Sequence, residues 1–392
     1  MALQLKILYN LVKEKCSDKI ELIAGQNGLD NTVRWINIVE GVEMSHFLEG
    51  NEITFTTGIA LKDENELYKL VQAAYIHDVS GIVINVGSYI SNIPQNVINF
   101  CDEKSLPLFK LPWQARISYV MKFFAEELTN SDKRSIELAS AVKNAIYFSN
   151  NYDLYVPTME RYGYDTEGAY CIAVCECTDK NGEVLAINEL EDIKINIENT
   201  ITKLMPNVII FCEKHKIVIA FSNTEERRIQ EIVDSAVRTL PRSLREKINI
   251  FIGIGKNTNN IRCISKTFNI ASRVAKLQRK RMAEGETTSY HNLGISQLFL
   301  SMDDMEIMRE FYEKKLEPLV KYDEENNTDL LGFLQVYFSY GGRVGETASK
   351  LYLHRNSINY KLRKIEEILN CDFNDINSKA ELLIAVKLME IL

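Results

Sequence analysis

The residues that could do chemistry concentrate in one basic stretch near the carboxyl end of the sequence. Five Lys or Arg residues and His354 lie between Lys350 and Lys364, and no acidic residue interrupts them. Ammonium and guanidinium groups bind phosphate oxygens, so Lys361, Arg363 and Lys364 suit contacts with a nucleic-acid backbone.

Residues with base-reading chemistry stand at the start of the same stretch, namely Arg355, Asn356, Ser357 and Asn359. An Asn side chain can form two hydrogen bonds with adenine, an Arg side chain can form two with guanine, and Ser can bond to several bases. The pattern predicts a DNA-reading helix. The alternative interpretation is a solvated basic face in an ordinary helical bundle.

Three predicted helices position these residues. An apolar helix over 330–340 ends at a Gly-Gly pair, a short helix follows over 344–351, and a longer one covers 355–369. The longer helix has apolar residues at helical spacing on one face: Ile358, Leu362, Ile365 and Leu369. A short helix, a connection of three residues and a second helix form the layout of a helix-turn-helix.

The first part of the chain alternates strand-like and helix-like segments, which predicts a parallel sheet with helices packed on it. The predicted strands are 35–40, 52–57, 81–86 and 106–111, and the predicted helices are 63–77 and 94–104. Ligands of such sheets bind beyond the carboxyl ends of the strands. The candidate ligand residues are Arg34, Thr56, Thr57, Gly58 and Trp113. The alternative is that Trp35 and Trp113 are core aromatics and that Thr57-Gly58 merely makes a turn.

The sequence pattern in the middle of the chain predicts a helical connector and a second α/β unit. Residues 117–150 read as mostly helical, and the pattern fits either a dimerising connector or a helix packed on its own domain. The second unit, over about 168–300, has predicted strands at 170–177, 208–213, 217–222 and 248–254, and predicted helices at 225–239 and 260–281. A hairpin is expected around Lys214 and His215.

The charge is unevenly distributed. The 392 residues carry a formal net charge of −8, which argues against attraction of the whole protein to nucleic acid. Asp303–Asp329 contains ten acidic and four basic residues, a balance of −6, and is typical of a solvated surface or linker. No apolar run has the length of a membrane span, and no secretory signal is visible, so a cytoplasmic protein is expected.

Enzyme and metal signatures are missing from the sequence. The five histidines show no metal-binding spacing, and the eight cysteines form no C-x-x-C pair. Cys171, Cys175 and Cys177 share one face of a predicted strand, where a thiolate site is conceivable but reduced, packed cysteines are favoured. The Gly-Ile-Gly segment at Gly253–Gly255 weakly resembles a phosphate-binding loop, but such a segment is typical of a strand end that enters a turn. We therefore expect no catalytic residue, cofactor or metal.

The stretch Gly342–Leu388 resembles the C-terminal helix-turn-helix of PucR-family transcription regulators. Its signature is "ETA..L", then "LHRNS", then "YKLRKIEE", and a final helix with Leu382, Ala385 and Leu388. The resemblance implies DNA-binding positions at Thr347, His354, Arg355, Asn356, Ser357, Tyr360 and Arg363. Gly345 replaces a frequent polar cap residue, at a cost of only tenths of a kcal/mol.

Two further segments resemble the same family. Ala24-Gly25, Val33–Trp35, Glu40 and Gly50–Ala60 are similar to its sensor domain, and the middle unit is similar to its degenerate GGDEF-like domain. The hairpin reads CEKHKIVIAFS and lacks the acidic cyclase signature. The expected fold is a multidomain α/β protein with an N-terminal parallel-sheet sensor domain, a GGDEF-like α/β middle domain and an all-α C-terminal helix-turn-helix domain.

The expected boundaries are 1–125 for the sensor domain, 126–165 for a helical connector, 166–300 for the GGDEF-like domain, 301–329 for an acidic helical linker and 330–392 for the DNA-binding domain. The resemblance implies a ligand-responsive regulator, commonly an activator, of a catabolic operon such as purine or amino-acid breakdown. Its expected partners are promoter DNA, a small effector and a second copy of the chain, and no membrane. The alternative is a nucleotide-signalling enzyme or nucleotide-binding protein using the GGDEF-like domain.

Overall fold

The computed structural model of the chain describes residues 3–16, 19–281, 287–302 and 304–391. These residues form two compact units. The first holds Met1–Ile250 and Asn257–Phe268, and the second holds Phe251–Lys256 and Asn269–Leu392. Among the described residues, none of the helices has the length and apolarity needed to span a lipid bilayer.

The sensor region of the first unit contains a sheet whose strands are parallel except at one edge. The first seven strands of the chain are β1 (Leu3–Gln4), β2 (Glu21–Ala24), β3 (Thr32–Val33), β4 (Trp35–Ile38), β5 (Glu52–Thr56), β6 (Gly81–Val86) and β7 (Leu108–Pro112). The sheet has the order β2-β7-β6-β5-β4, and only the edge strand β2 is antiparallel to its neighbour. The predicted parallel sheet is therefore confirmed.

Helices cover both faces of this sheet. They are α1 (Leu5–Lys15), α2 (Glu64–Ile76), α3 (Gln95–Glu103) and the long α4 (Ile117–Tyr147). Helices α1 and α4 pack over Phe55 and Phe109, whereas α2 and α3 pack over Ile82 and Leu108. Burial on both faces explains the near-continuous apolar sequence of the central strand β6.

The middle region of the first unit adds an antiparallel set of strands. Its elements are α5 (Val156–Arg161), β8 (Tyr170–Asp179), α6 (Ile187–Leu204), β9 (Ile209–Glu213), β10 (Lys216–Ser222), α7 (Glu226–Arg238) and α8 (Arg242–Arg245). Strand β10 pairs antiparallel with both β8 and β9. Lys214 has a φ of 55° in the β9–β10 turn, which confirms the predicted hairpin.

The next elements are β11 (Ile248–Ile254), α9 (Ile264–Lys280), β12 (Thr287–Ser289), α10 (Ser296–Leu300) and α11 (Met305–Asn326). In the second unit, residues 252–254 of β11 pair parallel with β12. A Cβ on Gly253 would lie 2.2 Å from the Ala271 carbonyl oxygen. Gly253 therefore permits close approach of strand and helix, which confirms the strand interpretation of the glycine motif.

The second unit ends in the predicted helical module, with α12 (Leu330–Ser339), α13 (Val344–Leu351), α14 (Arg355–Leu369) and α15 (Ile376–Ile391). The predicted bounds of α13 and α14 are confirmed. Leu316 and Leu319 of α11 belong to the same core as these helices, so one face of the acidic segment is buried. Asp303, the first residue of that segment, lies outside the described residues. The division between linker and DNA-binding domain stays a prediction.

Candidate nucleic-acid interface and ligand sites

The connection between α13 and α14 is a tight turn with defined hydrogen bonds. Tyr352 ends α13 with a φ of 52°, and the backbone N–H of Leu353 donates to the Ala348 carbonyl oxygen at 3.0 Å. The ring Nδ1 of His354 then accepts a hydrogen bond from the backbone N–H of Asn356 at 3.2 Å. His354 is thus the N-cap of α14 and fixes the orientation of its first turn.

The inward face of α14 determines which residues face solvent. Ile358 and Ile365 are fully buried, as the apolar pattern predicted. The first turn presents exposed side chains on the other faces, and they are Arg355, Asn356, Ser357 and Asn359. Because a helix N-terminus enters the major groove in helix-turn-helix complexes, these positions can reach base edges.

The outward face continues through Tyr360 and Arg363. The Tyr360 side chain is 70% exposed, and Arg363 is exposed one turn further along. Within the described residues, the side chains of Arg355 and Arg363 make neither a hydrogen bond nor an ion pair. Both guanidinium groups therefore keep all their donors for an external partner.

Lys361 and Lys364 lie on the side of α14 that faces α11 and α12. The Lys361 ammonium lies 5.4 Å from the centre of the Phe333 ring, and that of Lys364 lies 5.4 Å from the centre of the Tyr322 ring. Lys364 also lies 3.3 Å from Glu367. These two lysines border a cavity of about 450 Å³ beside the exposed face. Their position is compatible with phosphate contacts flanking the helix.

Thr347 differs from the other predicted DNA-binding residues. Its side chain is fully buried, and its hydroxyl donates to the Arg343 carbonyl oxygen at 2.9 Å. The hydroxyl is therefore engaged in the core of the module. A contribution of Thr347 to DNA binding would act through the position of α13.

The predicted ligand residues at the end of β5 are held by an internal carboxylate, and together they form the Glu40 cluster (Glu40, Thr56, Thr57 and Gly58). The backbone N–H groups of Thr57 and Gly58 each donate to Glu40 at 3.0 Å, and the Thr57 hydroxyl donates at 2.8 Å. The Thr56 hydroxyl donates to the same carboxylate at 3.3 Å. The sequence is compatible with Glu40 as a polar partner or as a surface residue, and the structure shows it as a polar partner just beyond the neighbouring strand β4.

Arg34 lies at the opposite edge of the sheet from the Glu40 cluster. Its backbone N–H donates to Asn51, immediately before β5, whereas Thr57 follows β5. Five residues of strand separate the two edges by roughly 17 Å. The Arg34 guanidinium forms a salt bridge of 3.1 Å with Glu198 of α6, and Glu198 is 5% exposed. The structure therefore brings Arg34 to the middle region and not to Thr57.

Trp113 lies near the carboxyl edge of the sheet. Its ring meets that of Tyr89 edge to face, with centroids 5.7 Å apart. A Cβ on Gly87 would lie 2.3 Å from the Trp113 Cβ, so the glycine makes room for this side chain. Trp35 and Trp113 are 43% and 40% exposed, so the interpretation of both as core aromatics is wrong.

The cysteines behave as packed apolar side chains. Cys171, Cys175 and Cys177 are buried and free of disulfides. Burial raises the pKa of the Cys175 thiol to about 12, which disfavours the thiolate that binds metal. Among the described residues, no group of three or more His, Cys, Asp or Glu side chains is arranged to hold a metal ion.

Three family models match separate parts of the chain. The model of the purine catabolism regulatory protein-like family matches residues 10–128, and a GGDEF-like domain model matches residues 158–277. The model of the PucR C-terminal helix-turn-helix domain matches residues 330–388. The last of these includes the whole exposed face of α14.

Similar proteins of known role are found in Bacillus subtilis. The proline-responsive transcriptional activator PutR is 24% identical over 257 residues, which cover 64% of this chain and 61% of that protein. The purine catabolism regulatory protein is 26% identical over 37% of this chain and 27% of its own length. The DNA-binding transcriptional activator AdeR is 25% identical over 45% of this chain and 42% of its own length. The chain thus spans about three fifths or less of these relatives.

Proposed function

We propose, from the premise that this chain belongs to the PucR family of transcription regulators, that it is a ligand-responsive regulator that binds promoter DNA through α14. Membership of the family agrees with the resemblance predicted from the sequence. The relatives include activators, so activation of a catabolic operon is the proposed direction of control.

One observation carries the proposal, namely the exposed polar surface at the start of α14. Arg355, Asn356 and Asn359 are exposed, and the buried Ile358 orients them away from the core. The side chains of these three polar residues have no hydrogen-bond partner within the described part of the chain. A solvated bundle face needs no such set of bidentate groups, whereas DNA reading does.

The effector belongs to the proposal as well. One relative is named as proline-responsive and another as a regulator of purine catabolism, so we propose a purine catabolite or an amino-acid-like molecule. Arg34, Trp113 and the three donor residues of the Glu40 cluster stay predicted ligand residues. A ligand at Thr57 would have to displace the Glu40 carboxylate. A carboxylate of the ligand could then accept the same hydrogen bonds from Thr57 and Gly58.

We further propose that the chain is not an enzyme. The β9–β10 turn consists of Lys214 and His215, and a cyclase needs acidic groups there to hold a metal and nucleotide. Incubation with GTP and Mg²⁺ is expected to release no cyclic dinucleotide. Metal-dependent turnover would favour the nucleotide-signalling alternative.

The test of DNA binding is anisotropy titration of a promoter fragment selected by footprinting. Arg355→Ala and Asn356→Ala are each expected to weaken specific binding by about 5- to 150-fold and to relax base preference at one position. Lys361→Ala is expected to weaken all sequences equally and to reduce the salt slope by about one.

The matched control is Arg227→Ala, because the Arg227 side chain is 91% exposed and lies in the middle region. Its DNA affinity is expected to equal that of the unaltered chain. Equal affinity of Arg355→Ala and Asn356→Ala with the control would refute the assignment of α14. We also propose a homodimer on two half-sites, which sedimentation of the DNA complex checks.

A further inference from the structure

A polar cavity of about 360 Å³ lies at the amino ends of the sensor strands and is completed by α6 of the middle region; we call it the α6 cavity. Asn51 and Ser80 precede β5 and β6 on one side, and Asn199 and Lys203 belong to α6 on the other. The cavity lies at the opposite edge from the Glu40 cluster. Its volume falls within the range of small-molecule sites.

Amide groups from both regions meet at the α6 cavity. The Thr32 hydroxyl donates to Asn199 Oδ1 at 3.0 Å, and Asn199 Nδ2 donates to Asn51 Oδ1 at 3.3 Å. An Asn side chain has two N–H donors and an oxygen with two acceptor sites. These contacts therefore leave amide donors and acceptors available to a ligand.

Two opposite charges border the same space. Neither the Lys203 ammonium nor the Asp78 carboxylate makes an ion pair within the described residues, and both line the cavity. Lys104, the other cation of the lining, is paired with Glu103 at 2.8 Å. The backbone N–H of Asn51 donates to the Asp78 carbonyl oxygen at 3.0 Å and so fixes the position of Asp78.

We propose that the α6 cavity binds a small zwitterionic amino acid, with its carboxylate at Lys203 and its ammonium group at Asp78, and with the Asn side chains forming hydrogen bonds to the same two groups. Opposite charges in one polar cavity complement a zwitterion better than an anion or a neutral heterocycle. The inference rests on the proposed function, because it names the class of effector and where that effector binds.

Binding at this place couples the sensor to the middle region. The sensor supplies Asp78 and Asn51, and α6 supplies Asn199 and Lys203, so a ligand gains its full set of contacts only when the two regions are docked. A ligand shifts an equilibrium by its difference in affinity for the two states. The bound amino acid therefore favours the docked arrangement, which the Arg34–Glu198 salt bridge also holds.

The test is titration calorimetry of the full chain with the twenty common L-amino acids, one at a time. At least one is expected to bind, and its amide and its deaminated acid are expected to bind at least about 10-fold more weakly, because each lacks one charge. Lys203→Met, Asp78→Asn and Asn199→Ala are each expected to raise the Kd by about 10-fold or more. Asn196→Ala, one turn earlier on α6, is the matched control with unchanged Kd.

Absence of binding by all twenty amino acids overturns the inference, and so does equal binding by Lys203→Met, an exposed position whose change leaves the core intact. The result is separable from the proposed function. If DNA binding depends on Arg355 but no amino acid binds, only the assignment of the α6 cavity as a ligand site is refuted. Amino-acid binding without specific DNA binding refutes the proposed function and leaves the cavity assignment standing.

Discussion

Removing one partner of the Arg34–Glu198 salt bridge is expected to destabilise the sensor region strongly. The two groups lie 3.1 Å apart, and their side chains are 17% and 5% exposed. The Nε of Arg34 is buried and has no hydrogen-bond partner within the described residues, so Glu198 is its main compensation. Glu198→Ala therefore leaves a guanidinium charge in a poorly hydrated place.

The magnitude follows from the distance and the burial. At an effective dielectric constant of about 20, unit charges this close attract by about 5 kcal/mol. Desolvation of both groups offsets most of that energy, so the intact pair contributes little net stability. Breaking a largely buried pair costs about 3 kcal/mol, because the remaining charge keeps its desolvation cost without a partner.

Tryptophan fluorescence during urea unfolding is the assay, because both tryptophans, Trp35 and Trp113, lie in the sensor region. Glu198→Ala is expected to lower the free energy of unfolding by about 3 kcal/mol, and the double change Arg34→Met with Glu198→Leu is expected to restore most of it. Lys122→Ala, which breaks an exposed pair on α4, should cost about 0.5 kcal/mol or less.

A decrease of less than about 1 kcal/mol in the free energy of unfolding for Glu198→Ala would refute the reasoning, because it would mean that water hydrates the Arg34 guanidinium. The same conclusion would follow if the double change were no more stable than Glu198→Ala. An additive double change would mean that the two side chains do not interact.

Three further results are expected. Glu40→Ala removes the acceptor for the Thr57 and Gly58 N–H groups and is expected to lower the unfolding free energy by about 2 kcal/mol in the same assay; an unchanged midpoint would contradict the Glu40 cluster. Hydrogen bonds from Ser378 lower the pKa of Asp375 in the folded protein. The charged carboxylate therefore stabilises α15 at any pH above the pKa that Asp375 has in the unfolded chain, and this stability is lost as the pH falls through the lower pKa of the folded protein. Unfolding followed by circular dichroism should therefore show that the difference in stability between this protein and Asp375→Asn disappears in acid. Because burial raises the pKa of Cys175 to about 12, a thiol reagent at neutral pH should label it only after unfolding, and prompt labelling of the native protein would contradict that burial.

The helices and strands were predictable where local patterns dominate. The bounds of α13 and α14 agree with the prediction, because apolar spacing and the short connection are both encoded within a few residues. Helix α6 was not predicted. Its apolar positions, such as Ile193 and Ile197, alternate with many polar residues, and the flanking turn at Asn181-Gly182 obscured its start.

The DNA-reading residues and the ligand residues differ in how far the sequence determines them. Residues Arg355 to Arg363 share one helix, so the periodicity that buries Ile358 also sets which of them are exposed. Arg34 meets a partner 164 positions away, and no local pattern contains that information. The rule that ligands bind at carboxyl ends placed Arg34 with Thr57, although the turn before β5 holds it at the other edge.

The two edges of the sensor sheet therefore have different chemical roles. At the carboxyl edge, the Glu40 carboxylate already satisfies the donors of Thr57 and Gly58, so a ligand there must compete with a covalently attached group at high effective concentration. At the amino edge, neither Lys203 nor Asp78 makes an ion pair with another of the described residues, and the opposite wall belongs to another region of the chain. A ligand at the amino edge gains affinity and changes docking in the same step, whereas one at the carboxyl edge must first displace Glu40. The amino edge is accordingly the better place for a sensor to convert binding into a signal.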